Sequence, residues 1–168
     1  MYMSRVGKKR EKVIVGVGLA VVVFLFFFEY THLVSRQEMI HTNGMNVMPF
    51  SLDKTQHIFK KSEIGGTQRV VVRDTLDIQD TALIRMHLQM EAENFSVGDF
   101  SDPIGLHGEE MPGLSVLKRN YTKMKVTYSE IENGAQIDFE TTDSETQKAL
   151  HAWFDAQVSD HGNDAVTQ

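Results

Sequence analysis

An unbroken apolar run near the N-terminus is the strongest pattern in the sequence. Residues 13–28 read VIVGVGLAVVVFLFFF, with no charged side chain among these sixteen positions. A helix of this length extends about 24 Å, slightly short of a hydrocarbon core of about 30 Å, and flanking residues such as Lys12 and Tyr30 can lengthen the span. We therefore predict a transmembrane anchor over residues 13–30.

The charges beside this run predict its orientation. The tail of residues 1–12 contains the basic residues Arg5, Lys8, Lys9, Arg10 and Lys12. Cytoplasmic flanks carry the excess of basic residues, so we expect the N-terminus in the cytoplasm and the rest outside it, in the periplasm of a Gram-negative cell. A cleaved signal peptide is the alternative, but the run ends in FFFEYTH without a small-residue cleavage site, which favours an uncleaved inner-membrane anchor.

The segment after the anchor has no sustained period. Residues 31–52 mix polar and apolar positions and contain Asn43-Gly44 and Pro49, which predicts an irregular linker. Periodic patterns resume at residue 53 and continue to residue 165, where we place a folded domain outside the cytoplasm. Residues 166–168 are expected to form a short tail.

Within this domain, two segments each predict a strand, a turn with glycine and a second strand. They are residues 55–74, TQHIFKKSEIGGTQRVVVRD, and residues 124–143, MKVTYSEIENGAQIDFETTD. In the second segment Asn133-Gly134 is a strong hairpin signal, and Tyr128 and Ile137 occur in apolar–polar alternation. We predict two antiparallel hairpins.

A helical pattern follows each hairpin, over residues 79–96 and 144–160. The matching order indicates an internal duplication of a ββα unit. Each unit alone would expose an apolar sheet face, so the two must pack together. We predict an α+β fold with a four-stranded, mainly antiparallel sheet and two helices on one face, and a turn-rich connection over residues 98–123.

Composition narrows the function. The net charge is −6 although the N-terminal tail is basic, so the folded part is acidic and is not expected to bind nucleic acid. The chain contains no cysteine, which excludes disulfides and thiolate chemistry. The expected partners are the membrane and another envelope protein. The sequence does not predict an oligomeric state.

Polar residues on the apolar helix faces are the candidate chemistry. At 100° per residue, Glu91 falls within the stripe that contains Ile84 and Leu88, and His87 lies at its edge. A buried carboxylate needs a partner, which a transition metal such as copper or zinc can supply. The alternative is a structural hydrogen-bonded cluster. The candidate ligands are His87, Glu91, His107, His161, Met111 and His151.

Two longer segments of the domain resemble a known family. IRMHLQMEAENFSVGDFSDPIGLHGEEMPGL, followed by ALHAWFDAQVSDHGNDA, resembles a family of small, functionally uncharacterised bacterial proteins. The resemblance covers nearly all of residues 55–165 and implies a shared fold, but no activity. Some relatives are labelled aspartate carbamoyltransferase. We reject that label, because such an enzyme resembles a longer chain with two α/β domains and a carbamoyl-phosphate loop.

Three functions follow from these patterns. The first is a membrane-anchored accessory or interaction module outside the cytoplasm, without catalytic activity. The second is a metal-binding envelope domain that uses His, Glu and Met side chains for copper or zinc. The third is a metal-dependent enzyme, which the sequence favours least because it contains no HEXXH or similar signature.

Overall fold

The computed structural model describes the backbone of residues 4–168 and the side chains of residues 19–168 except Asn46. The chain forms two compact units, Met1–Arg36 and Gln37–Gln168. The basic side chains of the predicted cytoplasmic tail lie outside the described residues, as do the side chains of the first part of the predicted anchor.

Helix α1 (Ser4–Val47) contains the apolar run. Its segment Leu19–Met45 has a mean hydropathy of 1.5 over its most apolar window, and that window is not buried by the rest of the protein. This one N-terminal helix is therefore long and apolar enough to cross a membrane.

The predicted linker over residues 31–52 differs from the structure, in which α1 continues to Val47. Asn43-Gly44 does not end the helix, because a glycine inside a helix costs only about 1 kcal/mol. Here the glycine also makes room for a neighbour, since a Cβ on Gly44 would lie 2.7 Å from Cδ1 of Leu52. The second compact unit accordingly starts at Gln37 rather than at residue 53.

A five-stranded sheet organises the second unit. Its strands are β1 (Thr55–Ser62), β2 (Gly65–Val72), β3 (Lys125–Ile131), β4 (Gly134–Glu140) and β5 (Ala165–Thr167). They are arranged in the order β3-β4-β2-β1-β5. The first four pair antiparallel, as predicted, whereas β5 pairs parallel with β1. The expected four-stranded sheet is thus a five-stranded mixed one, because a three-residue strand is too short to show alternation in the sequence.

Four α-helices and three short 3-10 helices, Leu52–Lys54, Tyr121–Lys123 and Gly162–Asp164, follow α1. The α-helices are α2 (Ile78–Ser96), α3 (Ser101–His107), α4 (Leu114–Arg119) and α5 (Ser144–His161). The two long helices are capped by aspartates: Asp77 accepts a hydrogen bond from the backbone N–H of Asp80, and Asp143 accepts one from that of Thr146. Each capping aspartate marks the start of a helix shortly after a hairpin.

Aromatic contacts show that α2 and α5 pack on the same face of the sheet. The ring of Phe139 on β4 lies 5.9 Å from Phe95 on α2 and 5.8 Å from Phe154 on α5, measured between ring centres. Trp153 lies between these helices and the sheet, 6.0 Å from Phe139 and 5.8 Å from Phe95. The order of two hairpins, each followed by a helix, is as predicted. The duplication itself stays a prediction.

The connection between the halves contains the two short helices α3 and α4, and a glycine holds it against α5. Gly113 has φ +82°, and a Cβ there would lie 2.0 Å from the carbonyl oxygen of Ala149. Both its backbone conformation and its close contact therefore require glycine.

We predict that Gly113→Ala lowers the free energy of unfolding by at least about 1–3 kcal/mol, because it combines backbone strain with a clash. Gly105→Ala is the matched control. Gly105 lies in α3, and a Cβ at this position would have no atom within 4 Å, so its substitution should be neutral or slightly stabilising. Chemical denaturation of both variants measures the difference, and equal stabilities would contradict the assigned packing.

Candidate metal centre

A small cavity, lined by both polar and apolar residues, lies between the sheet and the helices of the second unit. Its volume is about 40 Å³, enough for a few water molecules or small ions. Its polar lining residues come from strands β1 and β2 and helices α2, α3 and α5. They are His57, Gln68, His87, Glu91, Asp102, His107, Trp153, Gln157 and His161.

Helix α2 supplies two of these residues one turn apart. His87 and Glu91 are each only 6% exposed, although they are polar. They point inward because the helical period places them beside Ile84, Leu88 and Phe95, which form the buried face of α2. The predicted inward orientation of both residues is confirmed.

Helix α3 brings a second carboxylate to this pair. The donor atoms of His87, Glu91 and Asp102 all lie within 4.8 Å of one another, and we call these three residues the acidic set. Among the residues that the structure describes, this is the one group of three or more potential ligands that converges so closely. One imidazole and two carboxylates that meet in this way can hold a divalent cation.

The surroundings of the Glu91 carboxyl group disfavour its charged form. Burial, followed by a hydrogen bond with Asp102 and repulsion from the charges of Asp102 and Asp99, raises the pKa of Glu91 to about 9. No basic side chain contributes to this shift, and Glu91 Oε1 has no hydrogen-bond partner within the described chain. A proton or a metal ion must therefore compensate the carboxylate.

Three further imidazoles line the same cavity, and we call them the histidine set. His57 comes from β1, His107 from the end of α3 and His161 from the end of α5. The ring centre of His161 lies 5.0 Å from that of His57 and 4.9 Å from that of His107. Each of the three residues is no more than 6% exposed.

Burial and neighbouring groups determine the protonation of these histidines. Asp160 holds His107 through a 2.9 Å contact between Oδ2 and Nδ1. Burial, with a smaller effect from His87, lowers the pKa of His57 to about 4. Burial and then repulsion from His57 and His107 lower the pKa of His161 well below its ordinary value. His57 and His161 are therefore neutral at pH 7.

Unsatisfied polar atoms concentrate at the cavity. In the described part of the chain, six buried side-chain nitrogen or oxygen atoms have no hydrogen-bond partner. Five of these belong to residues that line the cavity: His57 Nδ1, Gln68 Oε1, Glu91 Oε1, Trp153 Nε1 and His161 Nδ1. Because native proteins rarely leave such atoms unpaired, their concentration here indicates that the cavity holds water or an ion.

The cavity gathers four of the six predicted ligands: His87, Glu91, His107 and His161. Met111 is buried in the hydrophobic core and does not line the cavity. His151 is half-buried elsewhere, where its Nε2 contacts the carbonyl oxygen of Gly65 at 2.8 Å. The structure therefore does not bring these two residues to the candidate centre.

Sequence reasoning missed His57 and Asp102. His57 reads as a surface or hairpin-packing residue at a strand start, yet it is 4% exposed. Its position two residues before the buried Phe59 signals the inward face of β1. Asp102 reads as a turn cap, but Asp99 takes the capping role by accepting a hydrogen bond from the backbone N–H of Ser101.

No protein-family model, curated protein or solved structure matches this chain. The resemblance to a family of small bacterial proteins therefore stays a prediction.

We predict that the stability of the chelator-treated protein peaks near pH 6.5. Below that pH the unfolded chain takes up a proton at His57, whose pKa is 6.5 unfolded and about 4 folded, and His87 and His161 shift the same way. These three groups outweigh Glu91, so stability falls with acidity. Above it, folded Glu91 retains a proton that the unfolded chain has released, since its pKa rises from 4.5 to about 9. Stability therefore falls as pH increases toward 9.

Thermal unfolding from pH 4 to pH 9 measures both limbs. Glu91→Gln should flatten the alkaline limb, whereas Glu93→Gln, an exposed change on the same helix, should leave it unchanged. A wild-type protein whose stability is constant between pH 6.5 and 9 would contradict the assignment of Glu91.

Proposed function

We propose that this chain is a membrane-anchored domain that binds a divalent transition-metal ion through the acidic set, His87, Glu91 and Asp102. The observation that carries the proposal is the convergence of their donor atoms within 4.8 Å around a buried carboxyl that has no basic partner. A bound cation would replace the proton on Glu91 and supply the missing positive charge.

The ligand types favour particular ions. Two carboxylates and one imidazole suit Mn²⁺, Fe²⁺ and Zn²⁺. A thioether from Met111 would tilt the choice toward copper, but Met111 lies in the hydrophobic core instead. Of the two metals expected from the sequence, zinc therefore remains a candidate for the acidic set. Manganese and iron are further candidates, because Asp102 adds a second hard oxygen ligand.

Manganese binding tests this proposal, because Mn²⁺ prefers carboxylate-rich sites. We expect the full-length protein in detergent to bind Mn²⁺, and we expect Glu91→Gln to weaken binding by more than the about 10–100-fold that loss of an outer-shell partner costs. The amide keeps the shape and one acceptor, so the fold should persist. Mn²⁺ electron paramagnetic resonance measures the free ion.

Glu93→Gln is the matched control for this experiment, because Glu93 is exposed on the same helix and its change removes the same charge. Its affinity for Mn²⁺ should equal that of the wild type. Equal affinities in Glu91→Gln and Glu93→Gln would refute the site. The structural alternative, a hydrogen-bonded cluster, predicts that outcome.

We infer that the metal-binding unit lies outside the cytoplasm, in the periplasm of a Gram-negative cell. The basic tail of residues 1–12 supports this orientation. An apolar helix of sufficient length supports the anchor. The accessory or partner-binding role expected from the sequence is compatible with metal binding at this location.

A reporter enzyme that is active only outside the cytoplasm tests the topology when it is fused after Gln168. We expect an active fusion, because the positive tail should keep the N-terminus inside. Replacing the five basic residues of the tail by glutamine should reduce that activity. An inactive wild-type fusion that is well expressed would reject the orientation.

We also infer that the two hairpin–helix halves arose by duplication. Under that alignment Glu91 on α2 matches Gln157 on α5, and both residues line the cavity. Equivalent positions that face one centre support the relationship. The second half would then have kept a neutral polar group where the first has a carboxyl.

A further inference from the structure

The histidine set contains buried donor atoms of its own, independently of the acidic set. His57 Nδ1 and His161 Nδ1 are buried without a hydrogen-bond partner in the described part of the chain. His57 lies on β1 and His161 at the end of α5, and these two elements are far apart in the sequence. A protein that only had to fill this space would place apolar side chains here.

The ring positions fit ligands of one ion. Two imidazoles that share a tetrahedral ion at nitrogen–metal distances of about 2.0–2.1 Å have ring centres roughly 5 Å apart. The ring centre of His161 lies 5.0 Å from that of His57 and 4.9 Å from that of His107. The donor atoms of the three residues do not all lie within 4.8 Å of one another, and the rings of His57 and His161 are nearly parallel, at 11°. Binding one ion therefore requires at least one of these rings to turn.

An outer-shell carboxylate completes this pattern. Asp160 Oδ2 lies 2.9 Å from His107 Nδ1, and both side chains are buried. A carboxylate in this position commonly orients a histidine that ligates a metal and raises its basicity. Phe50 packs against both His57 and His87, so the two sets are neighbours within one cavity.

We propose that His57, His107 and His161 form a second metal site, an all-imidazole site for a borderline divalent ion such as Zn²⁺ or Cu²⁺. Imidazole ligands suit these two ions better than Mn²⁺. Three protein ligands leave a fourth position for water or another donor. The cavity would thus contain two metal sites. The acidic set offers mainly oxygen ligands, and the histidine set offers only nitrogen ligands.

Zinc content per chain after equilibrium dialysis tests this proposal in the full-length protein in detergent. The comparison uses the Glu91→Gln background, in which the acidic set is disabled. Adding His57→Gln or His161→Gln to that background should remove one Zn²⁺ per chain. His151→Gln in the same background is the matched control, because His151 lies outside the cavity, and it should leave the zinc content unchanged. Circular dichroism establishes that each variant is folded.

The Cu²⁺-loaded wild type provides a measurement that needs no variant. Its electron paramagnetic resonance spectrum should show coupling to two or more imidazole nitrogens, because the acidic set offers only one. Coupling to one nitrogen or none would overturn the proposal. Zinc content that stays unchanged when His57→Gln or His161→Gln is added to the folded Glu91→Gln variant would also overturn it. The first site is judged separately, by Mn²⁺ binding.

Discussion

A carboxyl group inside an aromatic core is the constraint on which the organisation of this domain depends. The period of α2 places Glu91 among the apolar residues Ile84, Leu88 and Phe95, where an isolated charge would cost several kcal/mol. A polar neighbour on another element, Asp102, is acidic and increases that cost. The carboxyl lines a cavity, where a proton or a cation can compensate it.

The aromatic cluster beside the cavity gives this arrangement its rigidity. Trp153 contacts Phe95, Phe100 and Phe139 edge to face, with ring centres 5.8–6.0 Å apart, which is a favourable geometry for aromatic pairs. Close-packed rings prevent the helices from collapsing onto the sheet. They also keep the local dielectric low, so that every charge or proton in the cavity has a larger effect than it would have in water.

Helical periodicity predicted the part of the site that lies on one element. His87 and Glu91 could be assigned to the buried face of α2 because the stripe around them is regular. Asp102 could not be assigned, since its inward position depends on how α3 folds back, which has no local period. His57 was visible in strand alternation, but only β5 beside β1 makes that strand internal. Sequence patterns thus show which face of a helix or strand is buried, whereas tertiary contacts determine which buried faces pack together.

The parallel pairing of β5 with β1 fixes the order in which the domain can assemble. Ala165 on β5 lies opposite His57 on β1 in that ladder, so β1 cannot complete its pairing until β5 has been synthesised. Contacts between such distant positions form slowly, because a long loop must close first. A chain that emerges gradually during synthesis would therefore build its hairpins early and complete the sheet beside His57 last. Metal capture at the proposed histidine site would then follow only after the whole domain has emerged.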